Sequence, residues 1–207
     1  MIMTKAVVHL RSSAPYSQSQ KHNEPKLEGE SPDAYERRTW ENKMHVRTFN
    51  KGKPSERRSV VIPASAMSQA IAAAAKFLNK KIPGQKNATW TKHFVAGVAI
   101  LADIDLNIDP ATRRCQEINA HSNGVRGSGS RVTKLIPTFD EWEASFEVIV
   151  FDPIITEGIF TEVIEAAGLF VGIGQHRPEC LGTNGRWEVD SIEWIDARQS
   201  QPLKKAA

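Results

Sequence analysis

The residues with the clearest chemical potential lie near the C-terminus, in a stretch rich in glycine and arginine. Four glycines fall within fourteen residues and are interleaved with two arginines: Gly172, Gly174, Arg177, Gly182, Gly185 and Arg186. Glycine permits unusual backbone torsions, and the NH groups that it exposes can line an anion-binding nest. A predicted helix precedes the stretch and a predicted strand follows it, which reverses the order of the dinucleotide-binding fingerprint. The pattern predicts either a contact with phosphates or a sharp helix-to-strand turn.

A second cationic stretch, residues 121–134, has the composition of a basic, glycine-rich hairpin. It contains Arg126, Arg131 and Lys134, and Arg113 and Arg114 shortly precede it. The glycines and serines at its centre are too flexible to hold the cations in place, so a bound polyanion would order them. The alternative is a hairpin tip that is merely solvated.

Residues 86–93 interleave an aromatic side chain with cations. Lys86, Trp90, Lys92 and His93 fall within eight residues, and sites for single-stranded nucleic acid combine aromatic rings that stack bases with cations that neutralise phosphates. The same spacing fits a tryptophan buried against the alanine-rich helix that precedes it, so both interpretations stay open.

Charge is distributed unevenly along the chain. Residues 51–134 carry 14 Lys/Arg against 5 Asp/Glu, whereas residues 135–207 carry 5 against 13. A basic middle segment predicts an electrostatic footprint for phosphates. The alternative is that the basic middle faces the acidic end, within one fold or between subunits.

The sequence offers no pattern typical of metal, disulfide or membrane chemistry. Cys115 and Cys180 are too few for a disulfide framework, and no Cys/His spacing matches a zinc site. Asp103, Asp105 and Asp109 alternate with apolar residues, as on the exposed face of a strand. The N-terminus lacks the apolar run of a signal peptide, and no run approaches the ~20 residues that span a bilayer. We therefore expect no cofactor, no metal site, no membrane contact and a reduced, cytosolic location.

Hydrophobic periodicity predicts the elements that position these residues. Strands are predicted at residues 5–11, 94–101, 106–108, 115–120, 132–139, 142–151 and 186–195. Helices are predicted after the N-caps Ser31 and Thr156 and over residues 64–79. The predicted apolar face of the 64–79 helix includes Phe77, and that of the helix after Thr156 includes Phe170.

This order predicts an α+β fold with a ferredoxin-like β-α-β-β-α-β core, an antiparallel sheet with two helices on one face. The chain is expected to form a single domain over residues 1–207, with loops and a hairpin inserted between the core elements. Residues 12–32 are polar and are expected to form a flexible loop, and residues 199–207 a frayed tail.

The glycine-rich stretch resembles the glycine-rich loop of the RAMP superfamily. In both, a helix leads into the loop and a last strand follows it; here the loop residues are Gly172, Gly174, Gly182 and Gly185-Arg186. The wider layout is most similar to its Cas7-type members and their stand-alone phage or prophage relatives. The resemblance implies binding of RNA or single-stranded nucleic acid along the sheet and loops, often in a multi-subunit filament. It also implies that the four glycines shape the loop and that Arg177 and Arg186 are available to phosphates.

Three functions follow as hypotheses. The first is a non-catalytic protein that binds RNA or single-stranded DNA, as a homo-oligomer or within a multi-subunit complex. The second is an assembly module in which the basic middle meets the acidic end of another copy. The third is a metal-independent ribonuclease, because some relatives in the superfamily use a histidine as general acid or base; His22 and His176 are its candidates. We predict no catalytic residue under the first hypothesis.

Overall fold

The computed structural model describes residues 3–121 and 129–195, which form ten β-strands and four α-helices. The strands are β1 Thr4–Ser12, β2 Tyr16–Ser17, β3 Val46–Phe49, β4 Arg57–Ile62, β5 Val98–Ala99, β6 Ile104–Asp105, β7 Arg114–His121, β8 Arg131–Phe139, β9 Glu143–Val150 and β10 Trp187–Ile195. The helices are α1 Pro32–Thr39, α2 Ala64–Leu78, α3 Thr91–Gly97 and α4 Glu157–Ala166. The result is a mixed α+β fold in which the paired strands are antiparallel.

The main sheet has four strands in the order β10-β1-β9-β5. β1 lies inside the sheet and pairs along its length with β10 on one side and β9 on the other. Ala6, Val8 and Leu10 of β1 are buried, because successive side chains of a strand point to opposite faces. β9 alternates in the same way, so one face of the sheet enters the core and the other faces solvent.

α2 and α4 contribute their apolar faces to the same core as this sheet. In α2 the buried residues recur at helical spacing: Met67, Ala70, Ile71, Ala74 and Ala75. α4 begins where the sequence predicts, since the side chain of Thr156 accepts a hydrogen bond from the backbone NH of Ile159. The predictions of these two helices are confirmed.

Two smaller sheets flank the main one, in the orders β2-β8-β7 and β3-β4-β6. α1 begins after its predicted cap, Ser31, whose side chain accepts a hydrogen bond from the NH of Ala34. α1 is attached to β8 by the buried carboxylate of Glu36, which accepts a hydrogen bond from the NH of Leu135 at 2.7 Å. Lys43 also binds this carboxylate and donates to the carbonyl of Leu135 at 2.9 Å.

The start of the segment that joins β1 to α1 belongs to the core. Tyr16, Ser17 and Gln18 are almost fully buried. The side chain of Gln18 donates to the carbonyl of Val61 at 2.9 Å and accepts from the NH of His45 at 2.8 Å, so it joins β2 to the β3–β4 region. The flexibility predicted for residues 12–32 stays a prediction.

The structure corrects the predicted secondary structure between residues 91 and 108. Residues 94–97, predicted as a strand, lie in α3, and only Val98–Ala99 pair with β9. Gly97 permits this arrangement, because an added Cβ would lie 2.6 Å from the Cβ of Asp152. The strand predicted at residues 106–108 lies earlier, at Ile104–Asp105.

Candidate nucleic-acid interface

The glycine-rich loop, residues 171–186, is a closely packed connection between α4 and β10. Its four glycines each have neighbouring atoms where a Cβ would lie: Gly172, Gly174, Gly182 and Gly185. At Gly185 the backbone has a φ of 70°, and an added Cβ would overlap the carbonyl oxygen of Ile173. The glycines therefore have a packing role that needs no ligand.

Several NH groups that could line an anion nest are already bonded within the protein. Those of Ile173, Gln175 and Gly185 donate to the carbonyls of Gly185, Ser17 and Pro15, at 3.0, 2.9 and 2.7 Å. The NH groups of Gly182 and Asn184 are bonded within the loop. This bonding favours a structural turn over a phosphate nest as the reason for the glycines.

The two arginines of the loop are held by the fold in different ways. The guanidinium of Arg177 binds the carboxylate of Glu179 at 2.8 Å and the carbonyl of Gly174 at 3.2 Å. Arg186 is half-buried, and its buried Nε has no hydrogen-bond partner among the described residues. Arg177 is thus neutralised locally, which lowers its value as a phosphate ligand.

A cleft of about 360 Å³ separates α2 from the glycine-rich loop. Small side chains of α2 line it on one side, namely Ala66, Ala70 and Ala73, and Gly172–Gln175 line it on the other. Arg177 and its partner Glu179 also line it, so the cleft presents no uncompensated arginine from the loop.

Three cations at the base of the β7–β8 hairpin are paired with carboxylates of the chain. The pairs are Arg113–Glu41 at 2.5 Å, Arg114–Asp140 at 2.6 Å and Lys134–Glu36 at 3.4 Å. The guanidinium of Arg113 also lies over the ring of Trp40, 5.9 Å from its centroid. These contacts give each cation a structural role that the sequence analysis does not foresee.

Two of these carboxylates have shifted pKa values. The hydrogen bond from Arg114 lowers the pKa of Asp140 below its usual value. Burial alone would raise the pKa of Glu36, but the hydrogen bonds from Lys43 and from the NH of Leu135, with the charge of Lys134, lower it overall. Both carboxylates therefore remain charged at neutral pH and compensate their cations.

The tip of the hairpin is only partly described. Arg131 opens β8, is exposed and forms no ion pair with another described residue. Arg126 lies outside the described residues, so its predicted role stays a prediction.

Residues 79–92, which connect α2 to α3 and include the first two residues of α3, form a basic segment here called the basic loop. It contains four lysines and no carboxylate: Lys80, Lys81, Lys86 and Lys92. Lys80 pairs with Glu162 of α4, whereas the other three are exposed and form no ion pair with any residue in the described ranges. The sequence analysis does not single out Lys81. The absence of Asp and Glu from residues 79–92 is the sequence feature that could have identified it.

The basic loop is held by backbone hydrogen bonds. The NH of Ile82 donates to the carbonyl of Ala88 at 2.9 Å, and the NH of Trp90 donates to the carbonyl of Lys80 at 3.3 Å. Lys81 and Thr89 form a β-bridge. Because its ends are fixed in this way, the loop presents its lysines from a defined backbone.

The expectation that Trp90 stacks a base is corrected by its burial. Only 6% of Trp90 is exposed, because the chain turns into α3 at this residue and carries the ring into the core. His93 contacts the ring edge-on at 6.0 Å and places Nδ1 2.6 Å from Asp152. That hydrogen bond lowers the pKa of Asp152 and attaches α3 to the end of β9.

The solvent-facing side of the main sheet, here called the open sheet face, is acidic. Cross-strand pairing places on it four glutamates, Glu143, Glu147, Glu188 and Glu193, against Lys5, Arg11 and His9. Lys5 pairs with Glu147 at 3.8 Å and Arg11 with Glu188 at 2.7 Å. The remaining carboxylates make this face unfavourable for phosphates. The family resemblance implies nucleic-acid binding along the sheet, but the charge of the open sheet face does not support it.

Over residues 3–121 and 129–195, no group of three or more His, Cys, Asp or Glu side chains is arranged to hold a metal ion. No helix in the same ranges has the length and apolar character needed to cross a bilayer.

No protein-family model and no curated protein matches the sequence. Among solved structures, the chain is similar to Cmr6 from Pyrococcus furiosus, with 12% identity over 91% of this chain and 99% of that one and a TM-score of 0.48. It is similar to a chain of the type III-B Cmr-beta complex bound to cognate target RNA (14% identity, 94% of this chain, TM-score 0.45), and spans 61% of that chain's length. A chain of a type IV-B CRISPR complex is similar at 7% identity, over 100% of this chain and 96% of that one, with a TM-score of 0.46. These values are too low to assign a function.

Proposed function

We propose that this chain is a non-catalytic protein that binds RNA or single-stranded DNA and works as a homo-oligomer or within a multi-subunit complex. The observation that carries the proposal is the basic loop, where Lys81, Lys86 and Lys92 are exposed and have no ion-pair partner among the described residues. Phosphate binding by lysine releases condensed counterions and so supplies affinity without sequence readout.

The contrast with the other predicted cations supports placing the proposed contact at the basic loop. Arg113, Arg114, Lys134 and Arg177 each have a carboxylate partner, which a phosphate would have to displace. Lys81, Lys86 and Lys92 of the basic loop have no ion-pair partner among the described residues, so a phosphate contact with these three lysines costs no existing ion pair. Lys86, Lys92 and Arg131 are the predicted site residues that we retain as principal contacts, and Lys81 is added.

We further propose that the main sheet is a ferredoxin-like core of the RAMP type. The four strands of this sheet follow one another along the chain as β1, β5, β9 and β10. Numbered one to four in that sequence, they lie side by side in the spatial order 4-1-3-2. α2 connects the first to the second and α4 the third to the fourth, as in a β-α-β-β-α-β unit. Fold-level analogy of this kind does not by itself assign a function, and a stand-alone phage origin stays a prediction.

Binding of fluorescently labelled single-stranded RNA and DNA, titrated over a range of salt concentrations, tests the proposal. The Lys86→Gln, Lys92→Gln double variant should bind all sequences more weakly, with the slope of log Kobs against log salt reduced by about 1.4. The Lys5→Gln, Arg11→Gln variant removes the same charge from the open sheet face and should retain the wild-type slope. Absence of binding by the wild type at low salt would contradict the proposal.

Assembly through the open sheet face is a second candidate, favoured by the charge of that surface. Glu143 forms no ion pair with a described residue, and the one described ion-pair partner of Glu193 is His9, at 3.9 Å. The chain also carries a basic loop without its own carboxylates, so one copy offers both signs of charge on separate surfaces.

Sedimentation of nuclease-treated protein tests this candidate. Glu143→Lys, Glu193→Lys should abolish concentration-dependent association, whereas the same charge change on α4, in Glu157→Lys, Glu165→Lys, should leave it intact. A wild type that remains monomeric at high concentration would exclude the candidate.

The ribonuclease hypothesis is not carried forward as a proposal. The Nδ1 of His22 accepts a contact from the NH of Glu24 at 3.4 Å, and its ring lies 6.0 Å from that of Tyr35. His176 has a φ of 54° and shapes the glycine-rich loop. These contacts give both histidines local structural roles, so no observation specifically favours catalysis.

A further inference from the structure

Phe77 and Phe170 are large apolar side chains that lie exposed and in contact with each other, and Leu169 adjoins Phe170 in the sequence. Phe77 is 61% exposed, Leu169 51% and Phe170 44%, although helical periodicity predicts Phe77 and Phe170 in the core. Phe77 belongs to the last turn of α2, two residues before the basic loop begins. Single exposed apolar side chains are ordinary, but a cluster of them marks a binding surface.

The two phenylalanines form one aromatic surface. Their ring centroids are 4.9 Å apart and their planes are inclined by 29°, so the rings stack. Phe170 reaches this position from a π-helical segment, Ala167–Val171, that follows α4. A Cβ at Gly168 would overlap the carbonyl oxygen of Trp187, so this wide turn lies close against β10. π-helical turns of this kind occur frequently at functional sites.

Lysines adjoin the pair along the chain. Lys76 precedes Phe77, is exposed and forms no ion pair with a described residue, and Lys81 follows in the basic loop. Of the carboxylates on α4, Glu162 is neutralised by Lys80, and Glu165, one turn before Leu169, is exposed. An aromatic surface with lysines on the same helix end combines the two features that bind single strands, stacking and phosphate neutralisation.

The geometry points to the Phe77–Phe170 pair as a stacking site for an unpaired nucleobase of the strand whose phosphates the basic loop binds; this inference rests on the proposed function. Phenylalanine has no polar atom in its ring, so the site accepts any base. Bases in a duplex are already stacked on their neighbours and cannot occupy it. The site therefore selects single-stranded over double-stranded nucleic acid without reading sequence.

The test compares full-length variants for binding of a single-stranded oligonucleotide that contains one 2-aminopurine, a base whose fluorescence is quenched by stacking. Phe77→Ala, Phe170→Ala should bind about five- to tenfold more weakly and lose the quenching. Its salt slope should equal that of the wild type, because neutral side chains release no counterions. Phe77→Tyr, Phe170→Tyr keeps both ring faces and should retain quenching and affinity.

Matched controls separate the outcomes. Leu101→Ala, Leu181→Ala removes two other exposed apolar side chains and should bind like the wild type. If the alanine variant keeps affinity and quenching while Lys86→Gln, Lys92→Gln loses affinity, the stacking inference is wrong and the proposed function stands. If the alanine variant instead loses self-association and keeps nucleic-acid affinity, the surface binds protein and the inference is overturned. If the wild type binds no strand, both fail together.

Discussion

The base of the β7–β8 hairpin and the basic loop contain the same kinds of cation but differ in their surroundings. At the hairpin, Arg113, Arg114 and Lys134 meet Glu41, Asp140 and Glu36. In the basic loop, three of four lysines form no ion pair with a described residue. Cation content alone therefore does not identify a phosphate site; the decisive property is whether the fold already compensates the charge.

Because of this difference in charge compensation, substitutions in the two regions should affect different properties, namely folding stability at the hairpin and nucleic-acid binding at the basic loop. Hairpin cations attach α1 and the adjoining turn to β7 and β8, so their loss should weaken the folded state. Lys81, Lys86 and Lys92 of the basic loop form no ion pair with a described residue, so their loss should weaken only the complex with a polyanion.

The largest effect is expected for Glu36→Ala at the hairpin. It leaves Lys43 buried without its carboxylate and removes the acceptor of the Leu135 NH. Breaking a buried pair in this way costs about 3 kcal/mol, which urea denaturation would detect. Asp33→Ala removes an exposed partner of Arg37 and should cost less than about 0.5 kcal/mol. Equal losses of unfolding free energy in both variants would show that the buried network stabilises the fold no more than an exposed ion pair does.

A smaller effect is expected for Arg113→Gln, Arg114→Gln. The two partly exposed ion pairs together should contribute about 1 kcal/mol to the free energy of unfolding. The salt slope of nucleic-acid binding should not change, in contrast to Lys86→Gln, Lys92→Gln. A reduced slope in the arginine variant would remove the distinction between the two regions.

The smallest effect concerns pH and the Arg114–Asp140 pair. Because the pKa of Asp140 is lowered in the folded protein, its contribution to stability is present above the usual value of 3.8 and is lost as the pH falls through the folded value. Wild type and Asp140→Asn should differ by less than about 1 kcal/mol at pH 6. Thermal unfolding should show this difference shrinking at pH 3; a constant or growing difference would contradict the pairing.

Local patterns predicted much of the fold. Ser31 and Thr156 marked helix starts, and alternation in β1 and β9 marked the main sheet. The strand predicted where α3 lies was wrong, because residues 94–101 form a continuous apolar run, which fits a buried strand and a buried helix equally well. The contact of Gly97 with Asp152, more than fifty residues away, decides between them.

The candidate site was less predictable, because it depends on contacts between distant residues. Lys134 and its partner Glu36 are 98 residues apart, so no local pattern could show that Lys134 is compensated. Periodicity predicted Phe77 in the core, and the aromatic–cation spacing left both stacking and burial open for Trp90; in the structure the tryptophan is buried and the phenylalanine is exposed. Such a reversal depends on where α2 ends relative to the sheet, which a single sequence does not reveal.

The amide of Gln18 has a consequence for the chemical ageing of the protein. Its NH₂ donates to the carbonyl of Val61 while its oxygen accepts from the NH of His45, and a carboxylate of the same shape cannot donate. Spontaneous deamidation at this residue would set a buried negative charge against the Val61 carbonyl oxygen. Long-stored preparations should therefore contain the deamidated form mainly in the unfolded fraction, where the side chain is free of both contacts.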